Sequence, residues 1–281
     1  MNQGDPPDLL VVLDRSSSMN ECPNGNPFCT NPSKWDTMDT ALTSVVTSKQ
    51  TQIQFGLLEF PSNNDCTVDS GAEVGIALNA GGGFATYFTG RNANGNTPSA
   101  PALENALGYY NSIPANPAGR YVLFATDGQP TCDSDSTNTV AAVTALFNAG
   151  IKTYVLGFGQ FGGDSLLTAA ANAGGTARPG PKKYYEATSA AELDQALNDI
   201  AGGVIVPTCT FSLASLPPDP DNVTVTIGGA PVPRDTNHND GWDYFPDPMT
   251  ITFFGTYCDQ IKSGAVGDVT FVYGCPGPVI N

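Results

Sequence analysis

Histidine is almost missing from this chain: His238 is the only one in 281 residues. Basic side chains are scarce too, with 11 Lys+Arg against 27 Asp+Glu and a net charge of −16. No two cysteines stand at CxxC spacing, and no glycine-rich phosphate loop opens a helix. No apolar run approaches the roughly 20 residues that a membrane span needs. Each gap removes a class of function. One histidine and no CxxC leave nothing to build a structural zinc site. A Ser-His-Asp hydrolase would depend on His238, which sits in TNHNDGW, far from any serine at a strand-to-helix elbow. The negative field repels phosphate backbones and excludes nucleic acid as a partner. Without a P-loop or GxGxxG, nucleotide binding has no support. No charged segment followed by an apolar one marks a signal peptide. The first core strand begins almost at once, so the expectation is that a leader or anchor has been left off this sequence.

What the chain does have is polarity without charge. Charged residues make up 14%, and Asn, Thr, Ser and Asp carry most of the polarity, with 31 Gly and 23 Pro. Apolar runs recur throughout, so this is the composition of ordered, turn-rich loops rather than of disorder. Seven cysteines (Cys22, Cys29, Cys66, Cys132, Cys209, Cys258 and Cys275) read as disulfides of an oxidising compartment, one thiol remaining over. The expected location is therefore extracytoplasmic.

Residues 5–203 alternate short apolar runs with amphipathic stretches, the signature of strands and helices wound onto a mostly parallel sheet. Leu9–Leu13, Ile53–Phe60, Tyr121–Ala125 and Ile151–Leu156 read as buried strands. Val74–Leu78 reads as a short, antiparallel edge strand, and Tyr184–Glu186 as a last edge strand. Ser33 is placed to cap a helix with Trp35, Met38, Leu42, Val45 and Val46 on one face. Further helices carry Leu103, Ala106, Leu107 and Tyr110; then Val140, Val143, Leu146 and Phe147; then Leu166–Ala173; and finally Leu193, Ala196, Leu197 and Ile200. The pattern changes after Gly202-Gly203. Residues 204–281 show only short alternating runs, among them Val223–Ile227, Met249–Phe254 and Val269–Tyr273. They read as a small antiparallel, sandwich-like β-domain.

The chemistry collects where strands end, since binding sites in an open α/β sheet form at the carboxyl ends of its strands. The first strand runs into Asp14-Arg15-Ser16-Ser17-Ser18, a DxSxS pattern. Thr97 stands in GNTPSAPAL, where a Gly/Asn-rich loop becomes a helix. Asp127 stands in TDG directly after YVLFA. Two carboxylates and three hydroxyls would meet on one rim. An all-oxygen set selects hard cations such as Mg²⁺, Mn²⁺ or Ca²⁺ over metals that favour thiolate or imidazole. Neutral hydroxyls beside only two carboxylates leave the ion electrophilic.

DxSxS, a threonine some eighty residues on and TDG after the next buried strand resemble the metal-ion-dependent adhesion site of von Willebrand factor type A (integrin I-like) domains. The resemblance covers roughly residues 5–203, order of elements included. It implies a doubly wound sheet with the site at its top. It also implies Ser16, Ser18 and Thr97 as hydroxyl ligands of a divalent cation, Mg²⁺ first, with Asp14 and Asp127 acting directly or through water. A sixth position is left for an acidic side chain of a partner. Arg15 and Ser17 fall on variable positions. The insert NECPNGNPFCTNPS before the first helix is longer than such a connection needs, and Cys22 with Cys29 would pin it beside the metal. Cys66 and Cys132 both fall on the metal face and suit a bridge. Cys209, Cys258 and Cys275 leave three pairings open.

Two rivals are weaker. An aspartyl-phosphatase nucleophile needs a second acid two residues after Asp14, and Ser16 stands there. Asp235–Gly241 starts like a calcium loop, but its glycine comes one place late and Pro246 stands where the closing glutamate belongs. The expectation is a divalent-cation-dependent adhesion module, not an enzyme, from a secreted or surface-exposed bacterial protein. It would hold a protein or surface ligand that presents a carboxylate. The alternative is a structural or assembly subunit, of surface or motility machinery for example, whose cation serves stability.

Overall fold

The computed structural model describes residues 2–3, 6–27, 29, 32–132, 135–159, 164–205, 209–213, 215–247, 249–262 and 269–273. The chain divides into two compact units. One is Pro6–Ile205; the other joins Met1–Asp5 to Val206–Asn281. Strand β1 (Asn2–Gln3) thus belongs with the C-terminal residues.

In the larger unit the elements follow in the order β2 (Asp8–Asp14), α1 (Lys34–Lys49), β3 (Gln54–Phe60), β4 (Val74–Ala77), α2 (Gly81–Phe88) and α3 (Ser99–Ser112). They continue with β5 (Arg120–Thr126), α4 (Ser136–Asn148), β6 (Ile151–Phe158), α5 (Asp164–Ala173), β7 (Tyr185–Ala187) and α6 (Ala190–Val204). The sheet order is β4-β3-β2-β5-β6-β7. All neighbours are parallel except β3 and β4, the antiparallel edge pair expected from sequence.

Side chains on a strand alternate between faces, and β2 shows how this builds two cores. Leu9, Val11 and Leu13 point into the layer of α1, α2 and α6, against Met38, Leu42, Phe84, Leu197 and Ile200. Leu10 and Val12 point the other way, into the layer of α3, α4 and α5, against Leu103, Tyr110, Val143 and Leu167. Covered on both faces, the strand has no polar side, and hence its unbroken apolar run. The pattern also hid one element. Helix α2 reads GGGFATYF, and three glycines in its first turn disfavour a helix. Burial of Phe84 and Phe88 outweighs that cost.

Among the described residues the smaller unit has two antiparallel sheets. One orders β1, β8 (Thr210–Ser212), β12 (Met249–Phe254) and β11 (Gly241–Pro246); the other orders β10 (Ala230–Val232), β9 (Val223–Ile227) and β13 (Val269–Tyr273). Phe211, Trp242, Ile251 and Phe253 from the first share a core with Val225, Ile227 and Val232 from the second. The unit is not purely β. Helix α7 (Gly255–Lys262) follows β12 directly, too short for helical periodicity to declare itself, and it contributes Ile261 to the core. Cys209 is bridged to Cys258, which settles one of the open pairings; Cys275 lies outside the described residues.

Candidate metal centre

The direction in which the chain winds reverses between β2 and β5. From β2 it goes outward to β3 and β4, and from β5 the opposite way to β6 and β7. At such a reversal the two loops leaving the strand ends part and open a crevice. Asp14 closes β2, and Asp127 follows Thr126, the last residue of β5. Two adjacent parallel strands therefore deliver their carboxylates to the same edge.

A chain of hydrogen bonds joins the segments there. Asp14 is fully buried; its Oδ1 accepts from the Ser16 backbone N–H at 2.8 Å and its Oδ2 from the Thr126 hydroxyl at 2.5 Å. The hydroxyls of Ser16 and Ser18 lie 3.0 Å apart. Ser18 Oγ in turn donates to Asp127 Oδ1 at 2.7 Å. Thr97 approaches from the third segment. A Cβ built on Gly128 would stand 3.6 Å from Ser18 Oγ and 4.0 Å from Thr97 Oγ1, so both hydroxyls flank the glycine that follows Asp127. Thr97 is fixed by Thr131, whose hydroxyl accepts from the Thr97 N–H at 2.8 Å and whose own N–H donates to the Thr97 carbonyl at 2.9 Å. The five residues singled out from sequence thus lie around one rim. Asp14, Ser16, Ser18 and Asp127 are linked directly, and Thr97 is held beside them.

The surrounding loops are pinned. A disulfide joins Cys66 to Cys132, the neighbour of Thr131. Another joins Cys22 to Cys29 within the insert after the motif. Arg15, on a variable position of the pattern, is also structural. It is buried, with its Nε 3.0 Å from the fully buried Glu59. Its guanidinium donates to the carbonyls of Pro61, Ser62 and Asn92. Glu59 also accepts from the Tyr87 hydroxyl at 2.6 Å and pairs with Arg91. This buried network ties the turn after β3 and the loop before Thr97 to the DxSxS segment.

Among the residues not foreseen, two touch the carboxylates directly. Thr126 bonds Asp14, as above. Lys34, the first residue of α1, is buried; its Nζ lies 2.7 Å from Asp127 Oδ2 and 3.0 Å from Glu21 Oε2. A signal for it did exist. A helix N-terminus carries partial positive charge, and a lysine in that place needs a carboxylate elsewhere to justify it.

Electrostatics make the site a candidate for a cation. Burial, and then the charge of Asp127, push the Asp14 carboxyl up to about 7. Burial also raises Asp127, against the pull of Lys34. Burial works against the Lys34 ammonium, yet Asp127 and Glu21 hold its pKa above the ordinary lysine value. Of these two desolvated carboxylates only Asp127 meets the ammonium, and the excess negative charge, ringed by hydroxyl oxygens, fits a hard divalent ion. Among the described residues no three His, Cys, Asp or Glu side chains gather to hold a metal. An ion here would depend on hydroxyls for the rest of its ligands.

The calcium-like loop at Asp235 uses its acids internally. Asp235 accepts from the backbone N–H groups of Asn237, Asn239 and Asp240, and Asp240 accepts from Thr256. His238 pairs with Asp243 and stacks on Phe254. No helix among the described residues is long and apolar enough to cross a membrane.

A model of the von Willebrand factor type A domain family matches residues 8–199. Among solved structures, the fold is similar to the PilB minor pilin from Streptococcus sanguinis, at 17% identity and a TM-score of 0.55, covering 71% of this chain and 61% of that one. It is similar to the pilus adhesin SpaC from Lactobacillus rhamnosus GG, at 16% and 0.55, covering 89% of this chain and 38% of the adhesin. The manganese-loaded TRAP protein of Plasmodium vivax has 17% identity and a TM-score of 0.51, over 70% of this chain and 71% of that one. The chain thus spans only part of the length of the pilin and of the adhesin, and the likeness to all three is one of fold. No curated protein matches it.

Proposed function

The chain belongs to the von Willebrand factor type A domain family, and on that premise we propose that it is a divalent-cation-dependent binding module of an extracytoplasmic protein. The observation that carries this reading is the hydrogen-bonded run from Asp14 through Ser16 and Ser18 to Asp127 at the reversal of the sheet, with Thr97 alongside. Asp14, Ser16, Ser18, Thr97 and Asp127 would hold the ion, Mg²⁺ first, with Mn²⁺ or Ca²⁺ as substitutes. When bound, the ion supplies a Lewis-acidic position for an acidic side chain of a protein or surface partner. The chain's residues do the rest. Thr126 and the Ser16 N–H orient Asp14, Thr131 fixes Thr97, and the Cys66–Cys132 bridge holds the rim in shape before any ligand arrives. Adhesion at a bacterial surface agrees with the three disulfides and with the pilin and adhesin folds, and it asks for binding rather than turnover.

Calorimetry with Mg²⁺, Mn²⁺ and Ca²⁺ tests the reading. One ion is expected to bind per chain, and binding should disappear in Asp14→Ala; absence of any binding to the unaltered chain would refute it. The second reading, a scaffold or assembly subunit whose ion serves stability, is favoured by the buried position of Asp14. Melting separates the two. A large drop in Tm for Asp14→Ala points to the scaffold, whereas lost partner binding at unchanged Tm points to adhesion.

A further inference from the structure

The side chain of Lys34 is 3% exposed, and it is placed with care. The Ser33–Asp36 capping box fixes the helix start that carries it. Its stem runs beside Gly159, which has φ +100°, and where a Cβ would stand 2.7 Å from Lys34 Cε. Only glycine leaves that path open. At its end the ammonium meets Asp127 Oδ2 at 2.7 Å, while Oδ1 of the same carboxylate takes the Ser18 hydroxyl. Asp127 is therefore shared between the ring of hydroxyls and a fixed internal cation. Glu21, 39% exposed, completes the pair from the solvent side.

Formal charge then decides what such a site attracts. Asp14, Asp127 and the solvent-side Glu21 bring three negative charges and Lys34 one positive, so the set carries a net −2. A divalent ion would turn this into 0, whereas without the lysine the loaded site would stay at −1. We propose that Lys34 is an internal counter-cation of the metal site: it weakens the hold on the ion and strengthens the capture of an acidic ligand by the loaded site. The inference rests on the metal reading given above and concerns its tuning. Repulsion between an ammonium and a divalent ion sharing one carboxylate, in surroundings that screen less than water, amounts to about tenfold or more in affinity.

Lys34→Met keeps the stem and removes the charge. Calorimetry with Mn²⁺ alone should show it binding the ion about tenfold more tightly than the unaltered chain does. Titration of the Mn²⁺-loaded proteins with acetate should show weaker retention by the variant. Because Asp127 loses its partner, the ion-free variant should melt lower, and Mn²⁺ should restore it. Equal Mn²⁺ affinities in two folded proteins, or weaker binding by the variant, would overturn the inference while leaving the metal site standing. If neither protein binds Mn²⁺, the metal reading falls and takes this one with it. Binding by the variant alone would mean that the ammonium replaces the ion outright, and would overturn both the metal reading and this one. Should Lys34→Met not fold, Lys34→Gln decides, since it is neutral and can still donate to Asp127. It should bind Mn²⁺ about tenfold more tightly than the unaltered chain, and equal or weaker binding would overturn the proposal.

Discussion

At the scale of single residues, the oxygen donors of the rim were legible and the charges that arrange them were not. Asp14, Ser16, Ser18, Thr97 and Asp127 stand at strand or helix ends, where polar side chains interrupt apolar runs. Arg15, Lys34 and Glu59 look in sequence like ordinary solvated charges, because such residues are rarely buried unless paired. Their pairing joins positions far apart in the chain, and no local pattern encodes it. Glu59 is the sharpest instance, being fully buried between Arg15 and Arg91. Removing one member of a buried ion pair strands the others, at about 3–5 kcal/mol. Glu59→Ala should lower the unfolding free energy by that much, read as a lower urea midpoint with the slope unchanged. Thr97→Val should behave in the opposite manner. It keeps the shape of the side chain and removes one oxygen, so Mg²⁺ affinity measured by calorimetry should fall about tenfold or more, while Tm moves little.

At the scale of elements, the inner strands β2, β3 and β5 could be read because each is buried on both faces. The helices with a cap and a clear apolar stripe could be read as well. Ser33 accepts from the Asp36 N–H, and the Asp36 side chain returns the bond. Ser33→Ala should cost about 1 kcal/mol in thermal or urea unfolding. Helix α2 escaped notice because its glycines serve packing rather than propensity. A Cβ on Gly81 would stand 2.9 Å from Gln50 Oε1, and one on Gly83 would stand 3.0 Å from Val74 Cγ1, whereas one on Gly82 would meet nothing within 4 Å. Gly82→Ala should therefore stabilise the protein by about 0.5–1 kcal/mol. Gly83→Ala should gain less or lose, since Val74 has to give way. Helix α7 went unseen for a different reason, since its eight residues follow β12 without a break.

At the scale of the whole molecule, the chain divides into two compact units where the sequence pattern shifts, near residue 205. The attachment of residues 1–5 to the later unit has no such signal, because two residues of strand carry no periodicity. The Cys66–Cys132 bridge spans a separation of 66 residues, and closing a loop of that size restricts the unfolded chain by about 4 kcal/mol in the entropic account. Replacing both cysteines by serine should cost up to that amount. It should also weaken cation binding, because Thr131, next to Cys132, is what holds Thr97. Both effects can be followed in one series of melts with Mg²⁺ or chelator. Residues 6–205 expressed alone should melt as a single cooperative transition, given their own two-layered core. The division bears on biosynthesis as well. The backbone passes from the small unit into the larger one near residue 5 and back near residue 205. Because β1 pairs with β8, the small unit's first sheet cannot be completed until the ribosome has made the whole of the larger unit.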